Sequence, residues 1–128
     1  MRLTVWLEDW QHQCCGEPFS IGSTLGWTLA GPEEYVDSLF APDLAVHVDH
    51  IDDRHGMHVD LDTPQTVGAV TAIRSVRVRH ARDPNDERSW SPVPGSAELI
   101  EVDRSDGPET ETWSFAGYLV EIQVADAE

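Results

Sequence analysis

The sequence contains no lysine. All eight of its basic residues are arginines, and they stand against 24 acidic residues, which gives a net charge of −16 at pH 7. Such a charge repels the phosphates of nucleic acids and of anionic lipids, so we expect neither nucleic acid nor a membrane as a partner. An acidic protein that mimics nucleic acid, or that inhibits a basic protein, remains an alternative because its charge would attract such a partner.

Cysteines and long apolar runs are also scarce. The two cysteines, Cys14 and Cys15, are adjacent, so they cannot supply the loop-closing disulfides of a small secreted scaffold. No apolar run approaches the roughly 18 residues of a membrane-spanning helix. The first ten residues, MRLTVWLEDW, carry an acidic residue where a secretory signal would be apolar. We therefore expect a cytoplasmic protein.

The common catalytic sequence motifs are missing as well. The chain has no phosphate-binding GxxxxGK loop, no GxGxxG, no GxSxG and no HExxH. Acidic residues are so abundant that no pair of carboxylates stands out as a catalytic pair. These absences favour a non-catalytic binding or interaction module over an enzyme, and they leave a metal-dependent enzyme as the alternative.

What the sequence does have is a repeated alternation of apolar and polar residues. Leu3, Val5 and Leu7 would share one face of a strand, and the same period recurs in later segments. With 40% apolar residues, the chain is long enough for a single β-rich domain spanning residues 1–128. We predict an all-β or β-dominated fold, a small antiparallel barrel or sandwich of about seven strands with one short helix. The predicted strands cover residues 2–8, 24–29, 44–49, 57–62, 66–82, 97–102 and 113–124.

Two segments break this alternation. Residues 31–43 have helical spacing of apolar side chains, with Pro32 suited to the first helical position and Pro42 ending the helix. Residues 83–96, DPNDERSWSPVPGS, are predicted to form a polar, proline-rich loop that is the most mobile part of the chain. In the long strand before that loop, Gly68 or the Ala72–Ile73 pair is expected to mark a β-bulge.

Several sequence segments resemble a known family. They are VWLEDWQHQCCGEPFSIGSTLGWTL near the start, GAVTAIRSVRVRH in the middle, and PVPGSAELIEV followed by FAGYLVEIQV at the end. In similar order, these segments resemble small actinobacterial proteins classed as a domain of unknown function, with CCGxPF and GYLV as the more specific features. The resemblance implies a bacterial, cytoplasmic origin. It supplies no catalytic residues, because the family has no assigned activity.

The histidine-rich stretch HVDHIDDRHGMHVD, residues 47–60, is the strongest candidate for a metal site. If the flanking valines face the core of a hairpin, two histidines and two aspartates share the opposite face, where cross-strand side chains are close enough to interact. Such a set could ligate zinc or a similar ion. The alternative is a solvated face on which Asp–His pairs do nothing more. The four candidate ligands are His47, Asp49, His58 and Asp60.

A second candidate metal site lies in the segment HQCC. His12 and Cys14 could join the hairpin histidines in a mixed site if the fold brought them together, because thiolate and imidazole are both zinc ligands. Both sulfurs of adjacent cysteines rarely bind one ion, since the linking peptide splays them apart. The alternative for Cys14 is the ordinary one, a small buried apolar residue.

Arginines and tryptophans supply the candidate binding residues. Arg77 and Arg79 would share one strand face and could clamp a carboxylate or phosphate, or could pair with the chain's own acids across the sheet. Trp10 and Trp90 lie among polar residues, where they could contact a protein partner or small ligand together with Cys14, or could simply pack.

The metal hypothesis makes a direct prediction about untagged protein. Elemental analysis should find about one equivalent of zinc or a similar ion per chain, and the double variant His47→Ala/His58→Ala should lack it. Chelation should also lower the melting temperature, because a metal bound only by the folded state stabilises that state. Metal-free protein whose melting is unchanged by chelator would leave residues 47–60 as a solvated segment.

Overall fold

A computed structural model of the chain describes residues 1–10, 12, 18–53, 62 and 64–125. Strands dominate these residues, with one short α-helix, α1 (Glu34–Ser38), and two 3-10 turns, Pro42–Leu44 and Pro108–Glu111. The strands are β1 (Arg2–Glu8), β2 (Thr24–Trp27), β3 (Leu29–Ala30), β4 (His50–Asp52), β5 (Thr66–Arg77), β6 (His80–Asp83), β7 (Asp86–Pro92), β8 (Glu98–Val102) and β9 (Phe115–Val124).

Seven of the strands form one curled sheet. Its order is β2-β5-β9-β1-β4-β3, and β8 also pairs with β5. All of these pairs are antiparallel except β1 with β4. The sheet has the shape of a half-barrel, so the prediction of a β-dominated fold with about seven strands and one short helix is confirmed. Within the residues that the structure describes, the remaining strands, β6 and β7, pair only with each other and form a separate ribbon.

The curl brings the two ends of this strand order back to one point in the chain. β2 and β3 are the terminal strands of the order, yet only Thr28 separates them in sequence. Thr28 is held by the end of β4: its N–H donates to Asp52 Oδ1 at 3.1 Å, and its carbonyl accepts the N–H of Asp53 at 2.7 Å. The predicted strand at residues 24–29 is therefore two short strands that face different neighbours.

Both faces of the sheet are buried, which explains why the central strands are apolar on both sides. On β9, Tyr118 and Val120 belong to one core cluster, which also contains Trp27. Leu119, between them in the sequence, belongs to a second cluster with Trp6. The helix α1 and its flanks cover that second face through Val36, Leu39 and Phe40.

The long strand β5 is divided between two neighbours on one edge. Its first residues pair with β2 and its last residues with β8, while β9 runs along the opposite edge. The register with β9 shifts between Val70 and Ala72, which places a bulge at Thr71. A bulge is thus present in this part of β5, next to the predicted Ala72–Ile73 pair and not at Gly68, the other predicted position.

Two local predictions are wrong. Residues 83–96 are not a simple loop, since Asp86–Pro92 is a strand paired with β6. Residues 44–49 are not a paired strand: Ala45 has a left-handed backbone (φ 52°) that interrupts the extended chain, and strand structure begins only at His50. The second half of the predicted hairpin, residues 57–62, lies almost wholly outside the described residues.

The helix predicted within residues 31–43 is present, but it is shorter than the pattern suggested. It begins at Glu34 with Glu33 as the N-cap, so Pro32 precedes the helix. Among the residues that the structure describes, no helix is long and apolar enough to cross a membrane.

Gly117 is the position where the central strands allow no side chain. It pairs with Glu8 on β1 at φ +157°, and a Cβ there would collide with the carbonyl oxygen of Leu7 and the ring of Trp6. We expect Gly117→Ala to destabilise the fold by about 1–3 kcal/mol, because backbone and ring must both shift. Gly31→Ala is the matched control, since a Cβ at Gly31 meets nothing within 4 Å. Urea unfolding midpoints measure both, and equal midpoints would contradict the prediction.

Candidate functional site

The β6–β7 ribbon carries an exposed aromatic cluster. Trp90 on β7 lies directly across from Arg82 on β6, whose guanidinium carbon is 5.2 Å from the Trp90 ring centroid. The Trp113 ring meets Trp90 edge-on at 5.8 Å between centroids, and His80 lies against Trp113 at 4.8 Å. Trp90 is 50% exposed and Trp113 is 68% exposed. We call these four residues the tryptophan ribbon surface.

Local hydrogen bonds shape the turn that connects β6 and β7. Asp83 accepts the N–H of Asn85 at 2.8 Å, and Asp86 accepts the N–H of Arg88 at 3.0 Å and the hydroxyl of Ser89 at 2.9 Å. The Arg88 N–H, and then the Ser89 hydroxyl, hold the pKa of Asp86 below its ordinary value. The two turn aspartates are therefore used locally, which is the usual role of this residue type in tight turns.

The arginines near the ribbon fall into two groups. Arg77 pairs with Glu98 directly across the β5–β8 ladder at 2.7 Å, which is the cross-strand alternative to ligand binding. Arg79 donates its backbone N–H to Ser96, and within the described part of the chain its guanidinium forms no ion pair. The same holds for Arg82, apart from its contact with Trp90. Arg77 and Arg79 together with Glu98 line a small cavity of about 180 Å³.

Trp10 and His12 follow the end of β1 and make different contacts. Trp10 is 41% exposed, and its indole N–H donates to Glu8 at 2.6 Å. His12 is buried, with Nε2 2.6 Å from Asp106 Oδ1 and its ring edge-to-face with Phe19 and Tyr118. The structure thus brings His12 to an aspartate. Cys14, its predicted co-ligand, lies outside the described residues.

Only half of the predicted hairpin metal site can be placed. His47 is exposed, with Nε2 3.1 Å from Asp49 Oδ1, while the other Asp49 oxygen accepts the N–H of Thr4 at 2.8 Å. His58 and Asp60 lie outside the described residues. Within the ranges that the structure does describe, no three His, Cys, Asp or Glu side chains cluster as metal ligands. The four-ligand site therefore stays a prediction.

A partly buried polar network adjoins His12, and the sequence did not indicate it. The Tyr118 hydroxyl accepts the N–H of Asp106 at 2.9 Å and donates to Glu109 Oε1 at 2.9 Å. Asp106 itself has a left-handed backbone, with φ 62°. Its aspartate-glycine context is a turn signal, but pairing with a histidine 94 residues away leaves no trace in the sequence.

Trp113 was also missed as a surface residue, because it was assigned to the last strand. Its polar context, ETETWSF, is the same kind of signal that singled out Trp10 and Trp90. The strand begins only at Phe115, which leaves Trp113 in the exposed approach to it.

These features define a small β-rich protein, a curled half-barrel sheet with a tryptophan-bearing ribbon beside it. Residues 1–124 match the model of a family described as "Family of unknown function (DUF6578)", and the chain belongs to that family. No curated protein and no solved structure matches the chain significantly. The resemblance to a domain of unknown function is confirmed, while its actinobacterial origin stays a prediction.

Tyr118 should control the alkaline limit of stability. Burial, and then the hydrogen bond to Glu109, raise the pKa of Tyr118 well above its ordinary value of 10.0. The unfolded chain loses this proton above about pH 10 while the folded chain keeps it, so the free energy of unfolding must fall as pH rises beyond 10. Because the chain has no lysine, no lysine titration obscures this range.

We expect Tyr118→Phe to cost about 1–3 kcal/mol near pH 7, because it leaves the Asp106 N–H without its acceptor. The variant should then lose less stability than the wild type between about pH 9 and about pH 11.5. Tyr35→Phe is the control, since Tyr35 is 44% exposed. Urea unfolding across this pH range is the measurement, and parallel curves for wild type and Tyr118→Phe would contradict the assignment.

Proposed function

We propose that this chain is a non-catalytic binding module that contacts a protein partner through the tryptophan ribbon surface. The observation that carries the proposal is the pair of exposed, mutually packed rings of Trp90, on a ribbon outside the main sheet, and Trp113, just before β9. The ribbon has no other β-partner in the described part of the chain, so its surface is not needed to complete the sheet. The family match assigns no activity that would compete with this interpretation.

The chemistry of these residues is that of binding hot spots. Tryptophan and arginine are the residue types most enriched where a few side chains dominate the binding energy. Here Trp90 is already held between Arg82 and Trp113, so little rotamer freedom is left to lose when a partner docks. A preorganised pair of rings supports binding better than two isolated ones would.

Charge indicates what kind of protein the partner is. Within residues 79–92, Arg79, Arg82 and Arg88 balance Asp83, Asp86 and Glu87, so the ribbon is neutral while the whole chain is at −16. The remaining residues therefore carry the entire net charge. A partner with an apolar pocket for the tryptophans and basic residues around it would complement both regions and be steered electrostatically.

Other interpretations become outcomes of the same test. If the partner were a small ligand, it would need no basic residues around an apolar pocket. If the protein were a nucleic-acid mimic, it would bind its partner through the acidic surface, and the tryptophans would not contribute. The cytoplasmic location is likewise a prediction.

A random peptide library displayed on phage, selected against the wild-type protein, tests the partner chemistry. We expect enriched peptides to combine an apolar or aromatic anchor with flanking lysine or arginine. Their affinity for Trp90→Ala/Trp113→Ala should fall about 30-fold or more, because a hot-spot residue contributes at least about 2 kcal/mol. Binding should also weaken as salt concentration rises.

Trp10→Ala is the matched control, since Trp10 is an exposed tryptophan outside the ribbon. Its variant should bind the selected peptides as the wild type does, and urea midpoints should show all variants folded. Peptides that bind the double tryptophan variant normally, or no enrichment at all, would show that the ribbon is not the contact surface.

A further inference from the structure

A second feature, independent of the ribbon, lies where the two neighbours of β5 diverge. β2 pairs with β5 up to Ala69 and β8 pairs from Ile73 onward, so the Thr71 bulge lies between them. A cavity of about 750 Å³ opens there, between β8, the turn at Ile21 and the 3-10 turn Pro108–Glu111. Its volume is within the range of small-molecule sites.

The walls of this cavity are of two kinds. Ile21, Ile73 and Val102 supply an apolar side, and Ile21 is 50% exposed although it is a large apolar residue. Four charged residues also line the cavity, three of them acidic and one basic. They are Glu101, Asp103, Glu109 and Arg104.

Arg104 is the arginine that lines this cavity. Within the described part of the chain its guanidinium makes no hydrogen bond and no ion pair, although carboxylates line the same cavity. Its backbone is fixed by a β-bridge to Ser20. Arg104 also lines an adjoining cavity of about 390 Å³ with Ser20 and Ser105. A free guanidinium between two cavities is suited to a carboxylate supplied from outside.

The acidic side of the site is held by buried groups. Glu109 of the larger cavity and Asp106 of the smaller one are joined through the hydroxyl of Tyr118, and Asp106 is also bonded to buried His12. Tyr118 and His12 thus fix a carboxylate in each cavity from behind. Asp106 keeps a left-handed backbone in this network, a conformation that often accompanies functional sites.

We propose that the two linked cavities bind a small zwitterion, an α-amino acid with an apolar side chain. Its carboxylate pairs with Arg104, its ammonium with Glu109, and its side chain contacts Ile21 and Val102. A simple anion would face the three carboxylates of the larger cavity, and a simple cation would face unpaired Arg104. A ligand that carries both charges and an apolar group complements all three parts of the wall.

The probes are leucine, methionine and phenylalanine. Each is titrated to about 10 mM, which is roughly 10-fold above the expected Kd of about 1 mM for the amino acid. Amide chemical shifts in ¹⁵N spectra report the site. We expect saturable shifts at Thr71, Ala72 and Gly107 with at least one of the three amino acids. Its N-acetyl derivative, which lacks the ammonium, and its amide, which lacks the carboxylate, should each bind about 10-fold or more weakly.

Variants separate this site from general surface binding. Arg104→Gln should weaken amino-acid binding about 10- to 100-fold, the usual effect of losing a hydrogen bond between charged groups. Arg88→Gln is the control, because Arg88 is an exposed arginine on the ribbon. Glu109→Gln should weaken binding of the amino acid but leave binding of its N-acetyl derivative unchanged, a difference that a purely structural role would not produce.

No saturable shift with any of the three amino acids would overturn the proposal. So would equal binding of amino acid, N-acetyl form and amide, or equal effects of Arg104→Gln and Arg88→Gln. Each of these results leaves the ribbon proposal untouched, because that proposal involves none of the cavity residues.

Discussion

The packing of β9 between β1 and β5 is the constraint on which the rest of the structure depends. β9 pairs along nearly its whole length on both edges, and both of its faces are buried. Most of its side chains are therefore buried, although Gln123 near its end is exposed, and the backbone approach at Gly117 leaves no room for a Cβ there. The remaining strands and the helix are arranged to cover this strand, and the exposed features of the molecule arise where that covering ends.

The candidate sites occupy two such places. The tryptophan ribbon surface lies outside the main sheet and meets it through Trp113, just before β9 begins. The paired cavities lie where β2 and β8 leave the edge of β5, and one lining residue of each is hydrogen-bonded to the hydroxyl of Tyr118, a residue of β9. Both sites are therefore anchored to the same rigid strand, which is the arrangement that keeps binding groups in fixed positions.

The sequence predicted the elements whose cause is local. Alternation placed β1, β5, β8 and β9, and apolar spacing with flanking prolines placed α1. The sequence-based prediction failed where long-range contacts determine the structure. One apparent strand is split at Thr28 because Asp52 and Asp53 bind that residue. The β6–β7 hairpin was not predicted because most of it lies in a proline-rich, polar segment. Trp90 was found from its polar surroundings, whereas the His12–Asp106 contact joins residues 94 positions apart and could not be.

The separate pairing of the ribbon has a consequence for how proteins of this family can diversify. No residue of β6 or β7 belongs to the two core clusters, and in the described part of the chain neither strand pairs with β9, so we expect these strands to vary without loss of the fold. Trp113 also lies outside both clusters and is 68% exposed, although it stands only two residues before the first residue of the central strand. Both rings of the aromatic pair are thus open to evolutionary change in specificity, while the packing of the sheet is left as it is.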